Sequence, residues 1–180
     1  GGGSAPRRAQ WRRAVGSLAL NQRVVAILQQ YTRCSLVHVL LAGLPVCEYV
    51  TTNYDGLLER ALSAPKGASA PSVLPHAPRP QARRWVLKMH GCVSRPESIV
   101  LTRQDYVRYS EKAAALSGIV QAKLLTSHML FVGFSFADDN FYRIADTVKK
   151  ARKFLEEAGV PYEFHDYKKE GADAEKDRFR

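Results

Sequence analysis

The stretch YVTTNYDGLLE, residues 49–59, reads as a buried β-branched strand that runs directly into Asn-Tyr-Asp-Gly and then into a helix. VCEYVTT (46–52) is short and apolar enough to be covered on both faces, and DGLLERAL continues as a helix until Pro65. A strand feeding a helix through a polar joint is half of a βαβ unit. The rest of the chain is expected to supply its partners.

Upstream, apolar residues from Asn21 to Leu41 recur at helical spacing, with Gly43 and Pro45 as stop signals, so one or two helices are expected there. Residues 63–80 carry five prolines among small residues and predict a long surface loop, neither helix nor central strand. RWVLKMH (84–90) is the next strand, followed by a turn at Arg95-Pro96 and a short strand SIVLT (98–102). Thr102 and Asp105 form a capping-box-like start for a helix through Tyr109, and AAALSGIVQAKLLTS (113–127) predicts another. HMLFVGF (128–134) carries the strongest strand signal in the chain. Residues 138–159 predict a long amphipathic helix ended by Gly159, and PYEFHDY (161–167) a final strand. Strands alternating with helices imply an α/β fold, a Rossmann-like parallel sheet with helices on both faces.

At 180 residues, with 46% hydrophobic and 24% charged side chains, one globular domain is expected. No apolar run approaches the roughly 20 residues that span a bilayer, so the reading is a cytoplasmic protein with no membrane partner. Three cysteines, none in a Cys-x-x-Cys pair, argue against a disulfide frame and a structural zinc site, and no metal is expected.

The net charge of +10 is uneven: residues 1–145 hold 18 basic and 8 acidic side chains, whereas residues 146–180 hold 9 of each. Arginine dominates before residue 146 and lysine after it, as at a fusion point. RRAQWRR (7–13) places Arg7, Arg8, Arg12 and Arg13 around one indole, which leaves open a nucleic-acid contact and a solvated arm. The organisation expected is a basic arm (1–20), a main domain (21–167) and a charged tail (168–180).

In an open parallel sheet, ligands bind beyond the carboxyl ends of the strands, where loops and helix N-termini converge. Here those ends deliver Asn53-Tyr54-Asp55, His90-Gly91 and Gly133-Phe134-Ser135. Each has a plain alternative: an Asx-turn and N-cap for Asn53 and Asp55, a satisfied strand-end histidine for His90, turn residues for Gly133 and Ser135. An amide, a carboxylate, an imidazole, a hydroxyl and two glycines at one edge also make a ligand site.

TTNYDGLLE, LKMHGCVSRPESIVLTRQDY and LFVGFSFADDN together resemble, in order and spacing, the Asn-x-Asp, His-Gly and Gly-x-Ser signatures of sirtuin-like domains of the zinc-free branch, over about residues 20–145. The resemblance implies a nicotinamide-dinucleotide (NAD) site of Rossmann type. It implies that Asn53 orients water beside the nicotinamide ribose, that Asp55 holds the carboxamide and that His90 is the general base. Thr52, Gly91, Gly133, Phe134 and Ser135 would complete the cofactor contacts. That family begins with a strand and a Gly-Ala-Gly-x-Ser phosphate loop, which these 180 residues do not contain, so the sheet is expected to be incomplete at the N-terminus.

The absence of the four-cysteine zinc module favours hydrolysis of NAD, as in defence-associated antiviral members, over deacylation. Residues 145–171 are similar to the arsenate-reductase-like (Spx) branch of the thioredoxin fold, with Ala145 where that family commonly has cysteine, so residues 146–171 are expected to be a fused fragment. The functional expectation is an NAD hydrolase or a truncated remnant of one. A non-catalytic interaction scaffold with a basic arm is the alternative, and homo-oligomerisation stays open.

Overall fold

In the computed structural model the described residues are 18–102, 105, 114–136 and 138–159. The basic arm at 7–13, the body of the helix expected to run to Tyr109, the final strand at 161–167 and the tail at 168–180 lie outside them. The chain divides into two compact units, residues 1–120 and 121–180.

The first unit opens with helix α1 (18–28) and helix α2 (Leu36–Ala42), so the predicted helical stretch is two helices. The break falls where Ser35 caps the second: its N–H donates to His38 Nδ1 at 3.2 Å. Strand β1 (Glu48–Thr51) and helix α3 (Leu57–Ser63) follow, close to the expected bounds. Strand β2 (Ser72–Leu74) and strand β3 (Trp85–Lys88) complete a parallel sheet in the order β1-β3-β2.

β3 is the middle strand, and its sequence explains why. Val86 and Leu87 are consecutive, so they point to opposite faces, yet both are 0% exposed. The sheet is therefore covered on both sides, as an α/β architecture requires. On one face Val86 and Tyr49 pack with Ala42 of α2 and with Ala61 and Leu62 of α3. Each fully buried Val or Leu here contributes about 1.5–3 kcal/mol relative to an exposed one.

Three expectations are corrected. The proline-rich 63–80 segment is not all loop: it contributes β2, whose Leu74 pairs with Leu87. The strand itself holds no proline: Pro71 and Pro75 flank its three residues at the sheet edge.

SIVLT is not a strand. Pro96–Ser98 form a 3-10 turn, and the backbone groups that would build a ladder are used elsewhere. Val100 N–H donates to the His90 carbonyl (2.9 Å), the Ile99 carbonyl accepts from Asn21 Nδ2 (3.2 Å) and the Val100 carbonyl accepts from the Tyr54 hydroxyl (2.7 Å). Ile99 and Val100 are buried all the same.

HMLFVGF, the strongest strand signal, is not a strand either. In the second unit helix α4 (Ala114–Thr126) ends, irregular backbone follows, and helix α5 (Asp139–Glu157) begins with Asp138 Oδ1 accepting from Phe141 N–H at 2.9 Å. Phe131, Phe134, Phe136 and Phe141 gather instead, with centroids 4.9–5.9 Å apart. Edge-to-face packing of this kind replaces strand pairing. It also draws the chain through two left-handed residues, Gly133 (φ +63°) and Phe136 (φ +56°), which no strand accommodates. Leu130 stays 77% exposed.

α5 ends at Gly159 (φ +71°) as expected, and Lys153 meets Glu157 at 3.6 Å on its exposed face. None of the described helices is long and apolar enough to cross a membrane.

Candidate functional site

The parallel register brings the strand ends of the first unit to one edge. Thr51 pairs with Lys88 and Leu74 with Leu87, so β1, β3 and β2 all stop within a residue of one level. Met89 N–H still donates to the Thr51 carbonyl at 2.9 Å. Beyond the ladder, Asn53 lies two residues past Thr51 and His90 two residues past Lys88, on the segments that leave neighbouring strands. The first unit thus carries Asn53, Asp55 and His90 on the segments just past β1 and β3.

The two loops are laced together beyond the sheet. Val93 N–H donates to the Tyr54 carbonyl at 2.9 Å, and Tyr54 reaches the Val100 carbonyl while Val100 N–H holds that of His90. Asn53 is exposed, with its N–H on Thr51 Oγ1 at 3.1 Å, and Thr52 beside it is half-buried. Asp55 is half-buried, and its Oδ1 accepts from Leu57 N–H at 2.9 Å, so the helix-start role foreseen for it is filled by one oxygen.

His90 is only 4% exposed.

Gly91 is left-handed (φ +99°), and a Cβ there would lie 2.4 Å from the Ser98 carbonyl oxygen. The chain's own backbone fills the space that glycine leaves open. Gly133, Phe134 and Ser135 belong to the second unit, where they follow irregular backbone rather than the strand that was expected. Ser135 is exposed, and nothing lies within 4 Å of where a Gly133 Cβ would sit.

Three residues at this edge escaped the sequence reading. Asn21 is buried and its Nδ2 donates to the carbonyls of Pro96 (3.0 Å) and Ile99 (3.2 Å), tying α1 to the loop after His90. His76 lies just past β2, in the segment read as surface loop; burial, aided by Arg95 and Lys88, pushes its imidazole below the ordinary value. Lys88 is 1% exposed, its Nζ 3.0 Å from Glu59 Oε1 and also donating to the Asp55 carbonyl. A signal for Lys88 was present: a charged residue inside the apolar strand WVLKM must find a partner, and Glu59 stands on the helix that follows the neighbouring strand.

Residues 47–178 match the family profile described as SIR2-like domain. The chain belongs to the SIR2-like domain family. The match runs through residues 146–171, the part set apart by its composition. Among curated SIR2-like relatives, the NAD(+) hydrolase ThsA of Enterococcus faecium is 35% identical over 136 residues, covering 72% of this chain and 28% of that protein. ThsA of Bacillus cereus (strain MSX-D12) is 38% identical over 117 residues, 63% of this chain and 25% of its own length. Defense-associated sirtuin 2 of Bacillus subtilis is 26% identical over 121 residues, 65% of this chain and 12% of its own. The chain thus spans about a quarter of the length of the ThsA proteins it matches.

Chemically, the SIR2-like edge offers an exposed amide, a half-buried carboxylate and an enclosed imidazole on adjacent strand ends. That set suits holding a polar planar group and moving one proton beside it.

Proposed function

We propose that this chain is the dinucleotide-handling part of an NAD hydrolase, with the substrate lying across the carboxyl edge of β1 and β3. The observation that carries the reading is the parallel register, in which β1 and β3 end together at Thr51 and Lys88, two residues before Asn53 and His90. The printed names of the ThsA relatives support it. The donor set fits the substrate: an exposed amide for ribose or water and a carboxylate for the carboxamide.

Cleaving the bond between nicotinamide and ribose builds positive charge on the sugar, so a carboxylate and an amide dipole nearby lower the barrier. In this reading Asp55 holds the carboxamide, Asn53 orients the attacking water and His90 accepts the proton from that water or from a ribose hydroxyl. Thr52 and Gly91 line the remainder of that edge. The oxygen of water ends on the sugar and nicotinamide departs with the bonding pair.

Incubation of the purified chain with NAD is expected to release nicotinamide, and His90→Ala is expected to slow release by at least about 100-fold, the lower end for loss of a general base. Release that survives His90→Ala overturns the mechanism. Calorimetry showing no NAD binding at millimolar concentration overturns the substrate.

A further inference from the structure

Lys88 is among the most deeply buried side chains described, and none of the roles above uses it. It sits on the central strand, two residues before His90. Its ammonium meets two groups on the neighbouring segment: the Asp55 carbonyl and, at 3.0 Å, Glu59 Oε1. Those two acceptors are four residues apart and bracket the first turn of α3.

A buried ion pair is weak evidence of stabilisation, because both charges lose their hydration. This pair is also incompletely satisfied: Glu59 Oε2 is buried and has no hydrogen-bond partner among the described residues. An apolar pair of the same size would cover the sheet as well. What an apolar side chain at position 88 could not do is hold the Asp55 carbonyl.

We propose that Lys88 is a positioning residue of the candidate site: its ammonium clamps the Asn53–Asp55 turn to β3, the strand that leads to His90. The role in ligand binding rests on the dinucleotide reading above; the clamp itself does not. Geometry supports the assignment from three sides. One oxygen of the Asp55 carboxylate accepts from Leu57 N–H in an Asx-type turn, so the turn is held at its side chain. Tyr54 is held by Val93 N–H and by the Val100 carbonyl. Lys88 supplies the remaining tie, at the main chain between Asp55 and the helix, and it comes from the strand that leads to His90. Catalytic groups need to be held within about half an ångström of the productive geometry, and only such supporting contacts do that.

The test compares Glu59→Gln, which keeps the ammonium and its bond to the Asp55 carbonyl, with Lys88→Met/Glu59→Gln, which removes the clamp without leaving a lone buried charge. Amide hydrogen exchange is read across residues 49–62 of the 180-residue chain, and NAD affinity by calorimetry. The expected result is exchange at residues 53–57 at least tenfold faster in the double variant, unchanged protection in β1, and near-parent exchange in Glu59→Gln. NAD affinity should fall at least fivefold in the double variant alone.

Equal effects in both variants, or faster exchange spread evenly over β1 and α3, would show an ordinary structural ion pair and overturn the clamp. Faster loop exchange with unaltered NAD affinity would overturn its role in binding. Should the parent chain bind no NAD while loop exchange behaves as expected, the dinucleotide reading fails and the clamp stands.

Discussion

At Gly91 a Cβ would meet the Ser98 carbonyl oxygen at 2.4 Å and Ile99 Cα at 2.8 Å, and φ is +99°. Both obstacles are backbone, so nothing flexible gives way, and the left-handed conformation adds strain of its own. Gly91→Ala is expected to destabilise the chain by at least about 2 kcal/mol, read as a lower urea midpoint with an unchanged slope. Were the glycine needed only for approach by a ligand, stability would stay at the parent value while NAD affinity fell. The same residue shows what a motif conceals. His-Gly was legible as a signature, but the group that crowds the glycine is the chain's own return through Ser98, and no spacing in the sequence announces it.

Elements form here where local pattern and tertiary partners agree. α5 follows its sequence closely because its cap (Asp138), its period and its stop (Gly159) are all local. α4 carries an exposed flaw in Gly118, where a Cβ would meet nothing within 4 Å. Gly118→Ala is expected to stabilise the chain by about 0.5–1 kcal/mol, seen as a raised thermal midpoint with no change in NAD binding. Strands are less local. HMLFVGF has the apolar run a buried strand wants, yet its phenylalanines, Phe131 and Phe134, cluster with Phe136 and Phe141 rather than alternate. Three residues out of a proline-rich tract do become a strand, because β3 offers them an edge.

At the scale of the whole molecule, two shifted groups among the described residues bend stability toward the two ends of the pH range. His76 is pushed below the ordinary imidazole value of 6.5, chiefly by burial, so the unfolded chain binds its proton more tightly. Its contribution is present above pH 6.5 and is lost as pH falls through the lower folded value. Tyr49 is pushed above 10.0, again chiefly by burial, with Arg84 opposing. Its contribution is present below pH 10.0 and is lost as pH rises through the higher folded value. Denaturation midpoints across pH should therefore form a plateau; His76→Gln is expected to flatten its acid shoulder and Tyr49→Phe its alkaline one. An acid shoulder unchanged by His76→Gln would assign that loss to other groups.

By itself the sequence determined the α/β class, the positions of β1, β3, α3 and α5, and the Asn-x-Asp and His-Gly joints, because period, capping and turn chemistry act within a few residues. Tertiary structure alone decided that β2 pairs with β3, that residues 128–134 gather around Phe141, that Gly91 is packed by Ser98, and that Lys88 reaches Asp55 and Glu59. These depend on which distant groups compete for one hydrogen bond or one buried volume. That competition is resolved only when the whole chain is packed.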